Sequence, residues 1–291
     1  MESGKLIFIV APYFPPSALP PSQRVRLLVP HLRQFGLEPV IFTVDQHYRE
    51  ESPDPWMLEL VGQDYALVRV KCIDQIKSRK WGIGDIGLRM LPSLFFTLKR
   101  EIKRKKPAMI LYPVPPWYVL LTAPLMKFIT GVPYAIDYID PWVFDLKRKN
   151  FKARASQWIA RTLEGWIVRR CALIFSVSQG ILNDLVKRYP AVGSKTMVAV
   201  PYGVELNDYA GLARGEENGR GFTLIRYIGA VSDASVRVAK AMLNAIKLLL
   251  AHESLKVEFI GTSYAGKGLS QPNLTNIIGE LQLNDTVTES P

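Results

Sequence analysis

The stretch that decides the fold is VPYAIDYIDPW, residues 132–142. It opens with an apolar run, residues 132–136, of the kind that forms a strand buried on both faces of a parallel sheet. Asp137 and Asp140 follow, and we expect them at the carboxyl end of that strand, where open parallel sheets bind their ligands. Pro141 stops the strand because it has no backbone N–H to donate. Both acids are therefore candidates for a ligand crevice, although an isolated pair with this spacing also serves to brace a loop.

Similar apolar runs alternate with helical patterns through the first two hundred residues. The predicted strands are residues 5–10, 37–44, 66–70, 108–112, 172–178 and 196–204, and the predicted helices are residues 23–35, 88–106, 115–131, 152–170 and 179–188. Residues 45–66 are typical of a loop and residues 78–87 of a linker. Strands and helices that alternate at such short spacing predict a doubly wound parallel sheet.

A proline-rich loop, residues 11–22, follows the first strand. Its five prolines stiffen the backbone, so the loop is suited to form one wall of a ligand crevice. Ser22 is expected to cap the next helix, and Gly36 to end that helix in the left-handed conformation. Pro30 would kink the helix or delay its start.

Residues 205–221 differ in character from what precedes them. They are polar, contain four glycines and show no apolar period, which is typical of a linker between domains. We therefore predict a first domain at residues 1–204 and the first part of a second at residues 222–291. The sequence of the second part predicts a strand, a helix, a strand and a helix. Its last segment, NDTVTESP, has the pattern of a further strand that has been cut off.

The net charge of +11 is concentrated in the first part of the chain. Residues 222–291 hold six basic and six acidic residues, whereas residues 1–221 hold 31 and 20. The excess clusters in residues 98–106 and in the run from Lys147 to Arg170. Such clusters are most often solvated helix faces, and the alternatives are an anionic membrane surface or nucleic acid. Nucleic acid is disfavoured because the chain has no zinc spacing, no aromatic-interleaved basic motif and no glycine-rich RNA signature.

The cysteines and the apolar runs indicate the compartment. Two cysteines are too few for a disulfide framework and fit no metal spacing, which indicates a reducing environment. The apolar run after Lys5 is shorter than the core of a secretory signal. The uncharged residues 108–126 contain four prolines and divide into a strand and a helix, so we predict no transmembrane helix. A cytoplasmic protein is the expectation.

Five segments, taken in order, resemble the family-4 retaining glycosyltransferases. They are APYFPPSALPPSQR (residues 11–24), VPYAIDYIDPW (132–142), ALIFSVS (172–178), VPYGVELNDY (200–209) and LIRYIGAV (224–231). The resemblance implies an α/β, GT-B-like fold: a complete N-terminal Rossmann-like sheet on the acceptor side and the first part of a second Rossmann-like domain that binds a nucleotide-sugar donor. It also implies transfer with retention and without a metal or other cofactor, the nucleotide-sugar being a co-substrate. Backbone N–H groups and cations would stabilise the charge that develops on the nucleoside diphosphate leaving group.

The resemblance assigns site residues in the first domain. Asp140 matches the acidic motif on the acceptor side, with Asp137 matching the earlier acid of its longer form, and we treat both as catalytic candidates. The binding candidates in this domain are Pro15, Pro16, Arg24, Trp142, Ser178 and Gly203. Ser178 is equally suited to cap a helix. The chain departs from the family pattern at Tyr202, where the family usually has asparagine, and in the proline-rich loop, where it usually has small residues.

In the second domain the resemblance points to Gly229, Arg237 and Lys240 as donor-binding candidates. Gly229 matches a glycine at a strand end where a phosphate can meet a helix start, but Ala230 stands where the family has arginine. Arg237 and Lys240 lie one helical turn apart, a spacing that is also common on exposed helix faces. The family's pair of donor-site glutamates has no counterpart within the 291 residues, so the expectation is an incomplete donor domain.

Three hypotheses remain open. The first is an enzyme that transfers a sugar to a lipid-linked or polysaccharide acceptor of the cell envelope, bound peripherally at the inner face of the cytoplasmic membrane through its basic helices. The second is a truncated, non-catalytic relative that binds an acceptor or a partner. The third is a nucleic-acid binder, which rests on charge alone.

Overall fold

In the computed structural model of the protein, the described residues are 4–49, 51, 53–62, 65–143, 151–211, 221–232, 235–263 and 272–291. The chain divides into two compact units, Met1–Ala210 and Gly211–Pro291, and each contains its own parallel sheet. Part of the predicted linker (212–220) and part of the second basic run (147–150) lie outside the described residues.

Seven parallel strands form the sheet of the first unit, in the order β3-β2-β1-β4-β5-β6-β7. They are β1 (Lys5–Val10), β2 (Leu37–Val44), β3 (Ala66–Val70), β4 (Met109–Val114), β5 (Tyr134–Tyr138), β6 (Leu173–Ser176) and β7 (Thr196–Ala199). Strand order reverses between β1 and β4, and sheets of this kind bind ligands beyond the carboxyl ends of the strands at such a switch point. The predicted Rossmann-like, doubly wound sheet is thereby confirmed.

Helices cover the two faces of this sheet unequally. They are α1 (Pro20–Leu32), α2 (Trp56–Val61), α3 (Gln75–Arg79), α4 (Ile86–Lys105), α5 (Thr122–Thr130), α6 (Phe151–Val168) and α7 (Gln179–Arg188). On one face, which we call the four-helix face, side chains of α4 to α7 pack against Phe8, Tyr112, Tyr134 and Tyr138, all fully buried. On the other, the α1 face, residues of α1 and α2 pack against a smaller cluster that includes Ile9 and Leu111.

The start of α1 corrects the expected cap. The helix begins at Pro20 instead of near residue 23, and Leu19 occupies the capping position without a side-chain bond. Two prolines in the first turn explain this, since proline lacks the N–H that a cap would satisfy and its φ is preset for a helix. Ser22 lies inside the helix with its hydroxyl buried and unpaired. Pro30 is accommodated without ending the helix, and a further 3-10 turn leads to Gly36, whose φ of +69° confirms the expected left-handed stop.

Other boundaries differ because short helices occupy segments of loop-like composition. The expected loop at 45–66 contains α2, and the expected linker at 78–87 contains the end of α3 and the start of α4. Asp74 and Asp85 cap the first turns of α3 and α4 by accepting bonds from backbone N–H groups. The charged and glycine-rich composition of this segment did not predict these helix starts. The expected helix at 115–131 is a 3-10 turn followed by α5, and β7 ends five residues earlier than expected.

The second unit is built on three parallel strands in the order β10-β9-β8. Its elements are β8 (Thr223–Ile228), α8 (Val236–Leu249), β9 (Leu255–Ile260), α9 (Thr275–Glu280) and β10 (Val287–Ser290). The final segment, expected to stop short of a strand, forms β10 by pairing with β9, because its alternating Val287 and Glu289 suit a half-buried strand. A separate apolar core, centred on Leu243, Val257 and Phe259, lies between α8, α9 and the sheet.

Contacts assign residues 205–210, expected in the linker, to the first unit. Arg26 of α1 forms a two-pronged ion pair with Asp208, at 2.7 and 3.0 Å, and both side chains are largely shielded from solvent. His31 lies 2.9 Å from Glu205. These bonds hold the segment against α1, so the polar composition that suggested a linker instead provides partners for α1. Among the described residues, every helix is too short or too polar to cross a membrane.

Candidate functional site

The two acids of the deciding stretch lie at the carboxyl edge of β5 in different environments. Asp137 is the fourth residue of the strand, so the strand runs two residues further than the apolar run predicts. Its side chain points to the α1 face and is 3% exposed. Asp140 follows the strand in a bend and is exposed to solvent. One acid is therefore enclosed and the other is accessible to a ligand.

Arg24 of α1 binds the enclosed acid. Its Nε and Nη2 donate to the two carboxylate oxygens of Asp137 at 2.8 and 3.1 Å, and its Nη1 donates to the carbonyl of Pro201 at 2.9 Å. The fork of the guanidinium matches a carboxylate, and paired, charge-assisted bonds of this kind fix the orientation of both groups. A single buried side chain thus joins α1, β5 and the segment after β7.

Tyr202, in the segment after β7, contacts both Arg24 and the start of α1. The guanidinium carbon of Arg24 lies 5.6 Å from the centre of its ring, within cation–π range, and its hydroxyl donates to the carbonyl of Pro20 at 3.0 Å. The pKa of Tyr202 is raised to about 12, mainly by burial; the charge of Arg24 lowers it, and those of Asp140 and Asp137 raise it. The phenol therefore stays protonated and acts as a hydrogen-bond donor. Both acids act electrostatically on the same ring, so Asp140 lies in the neighbourhood of Tyr202.

A cavity of about 310 Å³ lies against these residues. It is lined by Arg24, Leu27, Leu28, Leu111, Asp137, Phe175, Val200, Pro201, Tyr202 and Gly203. Apolar walls with a few convergent polar groups are typical of small-molecule sites. Two larger hollows, about 390 and 610 Å³, lie at the far ends of α4 and α6 and have lysine or arginine on apolar walls without any acid. We take the smaller cavity as the candidate site because it lies at the carboxyl edge.

The proline-rich loop is held rigidly beside this edge. Pro15 is buried and Pro16 is half-buried, and the carbonyl of Pro16 accepts a bond from the backbone of Asp54 at 2.8 Å. Arg49, itself 9% exposed, donates to the carbonyls of Phe14 and Val44, each at 2.7 Å. The prolines thus belong to a braced wall, and their role toward a ligand stays a prediction.

Two other candidates from the first domain have structural partners. Ser178 occupies the cap of α7 and accepts a bond from the N–H of Ile181 at 3.4 Å, the alternative that its position allows. Trp142 is 4% exposed and packs edge-to-face with Tyr118 in the core of the four-helix face, their ring centres 5.7 Å apart. The structure therefore brings Arg24, Asp137 and Gly203 together on the cavity wall, with Asp140 near enough to act on the Tyr202 ring, and it places Trp142 under the helices rather than on the cavity wall.

The candidates of the second unit lie around the end of β8. Gly229 has a φ of +146°, a conformation that side chains other than glycine rarely adopt. Arg237 and Lys240 are both exposed on α8, and the ammonium of Lys240 lies 3.2 Å from Glu280 of α9. The absence of a side chain at Gly229 lets a ligand approach the backbone closely, but the N–H groups of Gly229 and Val231 already donate to the carbonyls of Ile260 and Thr262, at 2.9 and 2.8 Å. Lys240 likewise already has an acidic neighbour.

Sequence reasoning missed the part of the site that consists of long-range contacts. The Pro201 carbonyl, the Tyr202 ring and the apolar wall of Leu111 and Phe175 were not among its candidates. Side chains alternate between the two faces along β4 to β6. This alternation could have predicted that Leu111, Asp137 and Phe175 lie on the same face of the sheet. No comparable signal points to a backbone carbonyl 177 residues away from Arg24.

Comparison with known proteins bears on this region of the chain. Residues 21–203 match the sequence model of the family described as glycosyl transferase 4-like domain. This span includes Arg24, both acids and the cavity. A search of curated protein sequences found no significant match.

Solved structures share the fold at low sequence identity. Sucrose-phosphate synthase from Thermosynechococcus elongatus is 15% identical with a TM-score of 0.61, over 98% of this chain and 70% of that one. The Anabaena protein HepE, in complex with UDP and glucose, is 10% identical with a TM-score of 0.58, over 98% and 68%. UDP-GlcNAc 2-epimerase from Methanocaldococcus jannaschii is 9% identical with a TM-score of 0.52, over 99% and 73%. Because a synthase and an epimerase share this fold, fold alone does not select the reaction.

Proposed function

Because the chain belongs to the glycosyl transferase 4-like family, we propose that it transfers a sugar from a nucleotide-sugar to the hydroxyl of a lipid-linked or polysaccharide acceptor of the cell envelope, with retention of the anomeric configuration. The family match makes the chain a glycosyltransferase rather than an epimerase. The observation that carries the proposal is that the matched residues form a cavity, lined in part by Asp137, at the ligand-binding edge of the sheet.

In the proposed acceptor site, the two acids have different roles. Asp140, exposed beside the cavity, accepts the hydrogen bond of the acceptor hydroxyl and orients it toward the donor. Asp137, with both oxygens held by Arg24, positions the guanidinium and the Pro201 backbone instead of touching the acceptor. The leucines and Phe175 provide an apolar wall that suits a lipid-linked or ring-faced acceptor.

The proposed donor site belongs to the second unit. The positive φ at Gly229 allows close approach of backbone to a diphosphate, and Arg237 and Lys240 supply positive charge as the leaving group departs. HepE, a neighbour in fold, is solved with UDP and glucose, which supports a nucleotide-sugar as co-substrate for this chain. A cytoplasmic location, with peripheral attachment to the inner face of the membrane, is part of the proposal.

The test is to incubate the purified chain with UDP-, GDP- and ADP-sugars and membrane lipid extracts, and to follow nucleotide release and labelled product. We expect nucleoside diphosphate release that depends on the acceptor, and a product whose anomeric configuration, determined by NMR, equals that of the donor. Inversion at the anomeric carbon would refute retention. Donor binding without transfer to any acceptor would favour the non-catalytic alternative, and interconversion of the nucleotide-sugar without transfer would favour an epimerase.

A further inference from the structure

One segment of the first unit exposes large apolar side chains among cations while its backbone is firmly held. We propose that this segment is the surface through which the protein docks on an anionic lipid bilayer. We call it the α3 surface and define it as Ile73, Ile76, Lys77, Lys80 and Trp81. Ile76 and Trp81 are each 74% exposed and Ile73 is 37% exposed.

The exposure of these side chains does not come from a loose backbone. The Ile73 N–H donates to the carbonyl of Arg89 at 3.1 Å, and the Ile73 carbonyl accepts from the Arg89 guanidinium at 3.0 Å. Arg89 is 1% exposed, and Asp74 caps the first turn of α3 through the N–H of Lys77. The segment is thus held in place from beneath by hydrogen bonds, and its exposed apolar side chains are available to contact a partner outside the unit.

Charge complementarity identifies that occupant as an anionic surface. Residues 71–81 hold four basic residues and one acid. A lysine near an anionic leaflet contributes about 1 kcal/mol to the free energy of membrane binding. Tryptophan is enriched at the interface between lipid headgroups and acyl chains. Single exposed apolar residues are ordinary on any protein, but three within nine positions, interleaved with cations on an anchored turn, are the combination that a lipid interface favours.

The position of the α3 surface in the fold separates it from the other basic surface. It directly follows the carboxyl end of β3, at the same edge as the acids of β5. Four strand spacings separate β3 from β5, or about 19 Å along the edge at about 4.8 Å each. The lysines at the end of α4, Lys99 and Lys103, lie beside residues that precede β4, at the opposite edge. Docking there would leave the candidate site facing away from the bilayer.

The link between docking and catalysis rests on the proposed function, but docking itself does not. A lipid-linked acceptor held in a bilayer at the α3 surface would lie at the same edge of the sheet as the candidate cavity, with the ends of β3 and β5 about 19 Å apart along that edge. Binding to vesicles requires neither donor nor acceptor. Failure to bind vesicles would therefore leave sugar transfer in solution untouched, and failure to transfer sugar would leave docking untouched.

The test is sedimentation of the full chain with sucrose-loaded phosphatidylcholine vesicles, with or without about one third phosphatidylglycerol. We expect binding to the anionic vesicles and little to the neutral ones. The double variant Lys77→Gln/Lys80→Gln should lower the partition constant by roughly 25-fold, about fivefold for each cation. The matched control Lys99→Gln/Lys103→Gln removes the same charge from the other edge and should change it less than about threefold.

A second pair of variants separates docking from adsorption by net charge. Ile76→Ser/Trp81→Ala keeps every charge and should lower the partition constant by about tenfold or more, since the buried apolar area is lost. Phe128→Ala, at a side chain 90% exposed on α5, is the control and should leave it unchanged. Equal losses in both members of either pair would overturn the proposal, as would absence of vesicle binding. So would binding of a single-stranded oligonucleotide that depends on the same α3 residues while vesicles are ignored. Unchanged thermal melting of each variant confirms that folding is intact.

Discussion

The two faces of the seven-stranded sheet use buried polar groups in opposite ways. On the four-helix face buried tyrosines bond to groups of the covering helices inside a closed core: the Tyr134 hydroxyl donates to the carbonyl of Ile167 at 2.6 Å, and the Tyr138 hydroxyl to Glu164 at 3.2 Å. On the α1 face the buried polar pair, Arg24 and Asp137, borders a cavity. A closed core stabilises the fold, whereas the α1 face retains an opening at the ligand-binding edge.

The difference follows from how many helices each face receives. Four helices cover the first face, and even a carboxylate there, Glu164, is fully buried, so that burial raises its pKa although Arg188 lies 3.2 Å away. On the α1 face Val198 and Val200 stay more than 40% exposed at the β7 side. The lesson is that a buried ion pair is a feature of the site only where the packing around it is incomplete.

The largest effect is expected from breaking the pair on the α1 face. Arg24→Leu leaves the carboxylate of Asp137 buried without its partner, which should cost about 3–5 kcal/mol in free energy of unfolding. Chemical denaturation measures it. The double variant Arg24→Leu/Asp137→Leu should recover most of that loss, because no charge is left unpaired. Sugar transfer should be lost in both variants.

The control for this prediction is the ion pair of Arg33 and Glu38, whose side chains are 47% and 41% exposed. Arg33→Leu should cost no more than about 1 kcal/mol, as exposed pairs do. Similar losses for Arg24→Leu and Arg33→Leu would show that enclosure of the Arg24 pair has no energetic consequence, and the comparison of the two faces would lose its basis.

Much of the fold could be predicted from sequence, because strands that are buried on both faces have continuous apolar sequences. β1, β2 and β3 lie where those runs do, and α7 has the predicted bounds, since Ser178 caps it and an apolar stripe follows. Short helices such as α2 and α3 were missed because tertiary anchors such as Arg89, rather than periodicity, stabilise them.

The candidate site was less predictable, since its geometry is made by pairs far apart in the chain. Arg24 and Asp137 were both candidates, but their bond spans 113 residues and no local pattern encodes it. Trp142 was a candidate because it follows Asp140 in the motif that the family resemblance supplied, yet it packs against Tyr118 on the four-helix face. Proximity in sequence does not determine on which side of a sheet a loop residue ends.

A second, pH-dependent effect sharpens the comparison from the four-helix face. Burial raises the pKa of the Cys171 thiol to about 11, so the folded state holds this proton more tightly than the unfolded state, in which the value is near 9. The resulting stability is fully present below about pH 9 and is lost as the pH rises toward 11. At pH 10 the loss amounts to about 1.4 kcal/mol.

Cys171→Ser tests this because a hydroxyl keeps the bond to the Val168 carbonyl but does not ionise in this range. The variant should lose less stability than the wild type between about pH 8 and pH 10, measured by urea unfolding at both values. Parallel pH dependence of the two proteins would exclude Cys171 as the source.

A smaller effect comes from the same substitution on the two faces. Tyr134→Phe removes a hydrogen bond inside the closed core and should cost about 1 kcal/mol without changing transfer. Tyr202→Phe removes a bond to Pro20 from a ring that is 40% exposed and should cost less than about 0.5 kcal/mol. Its effect should instead appear as a higher KM for the acceptor. A raised KM in Tyr134→Phe, or none in Tyr202→Phe, would reverse the assignment of the faces.

The most direct test of the central claim is the rate of sugar transfer by Asp140→Asn, set beside Asp184→Asn on the exposed surface of α7. Neither substitution should alter stability, because both side chains are solvated. If Asp140 orients the acceptor hydroxyl, its variant should lose on the order of 100-fold in kcat/KM with the melting temperature unchanged, while Asp184→Asn keeps full activity. Transfer by Asp140→Asn at the wild-type rate would contradict the account.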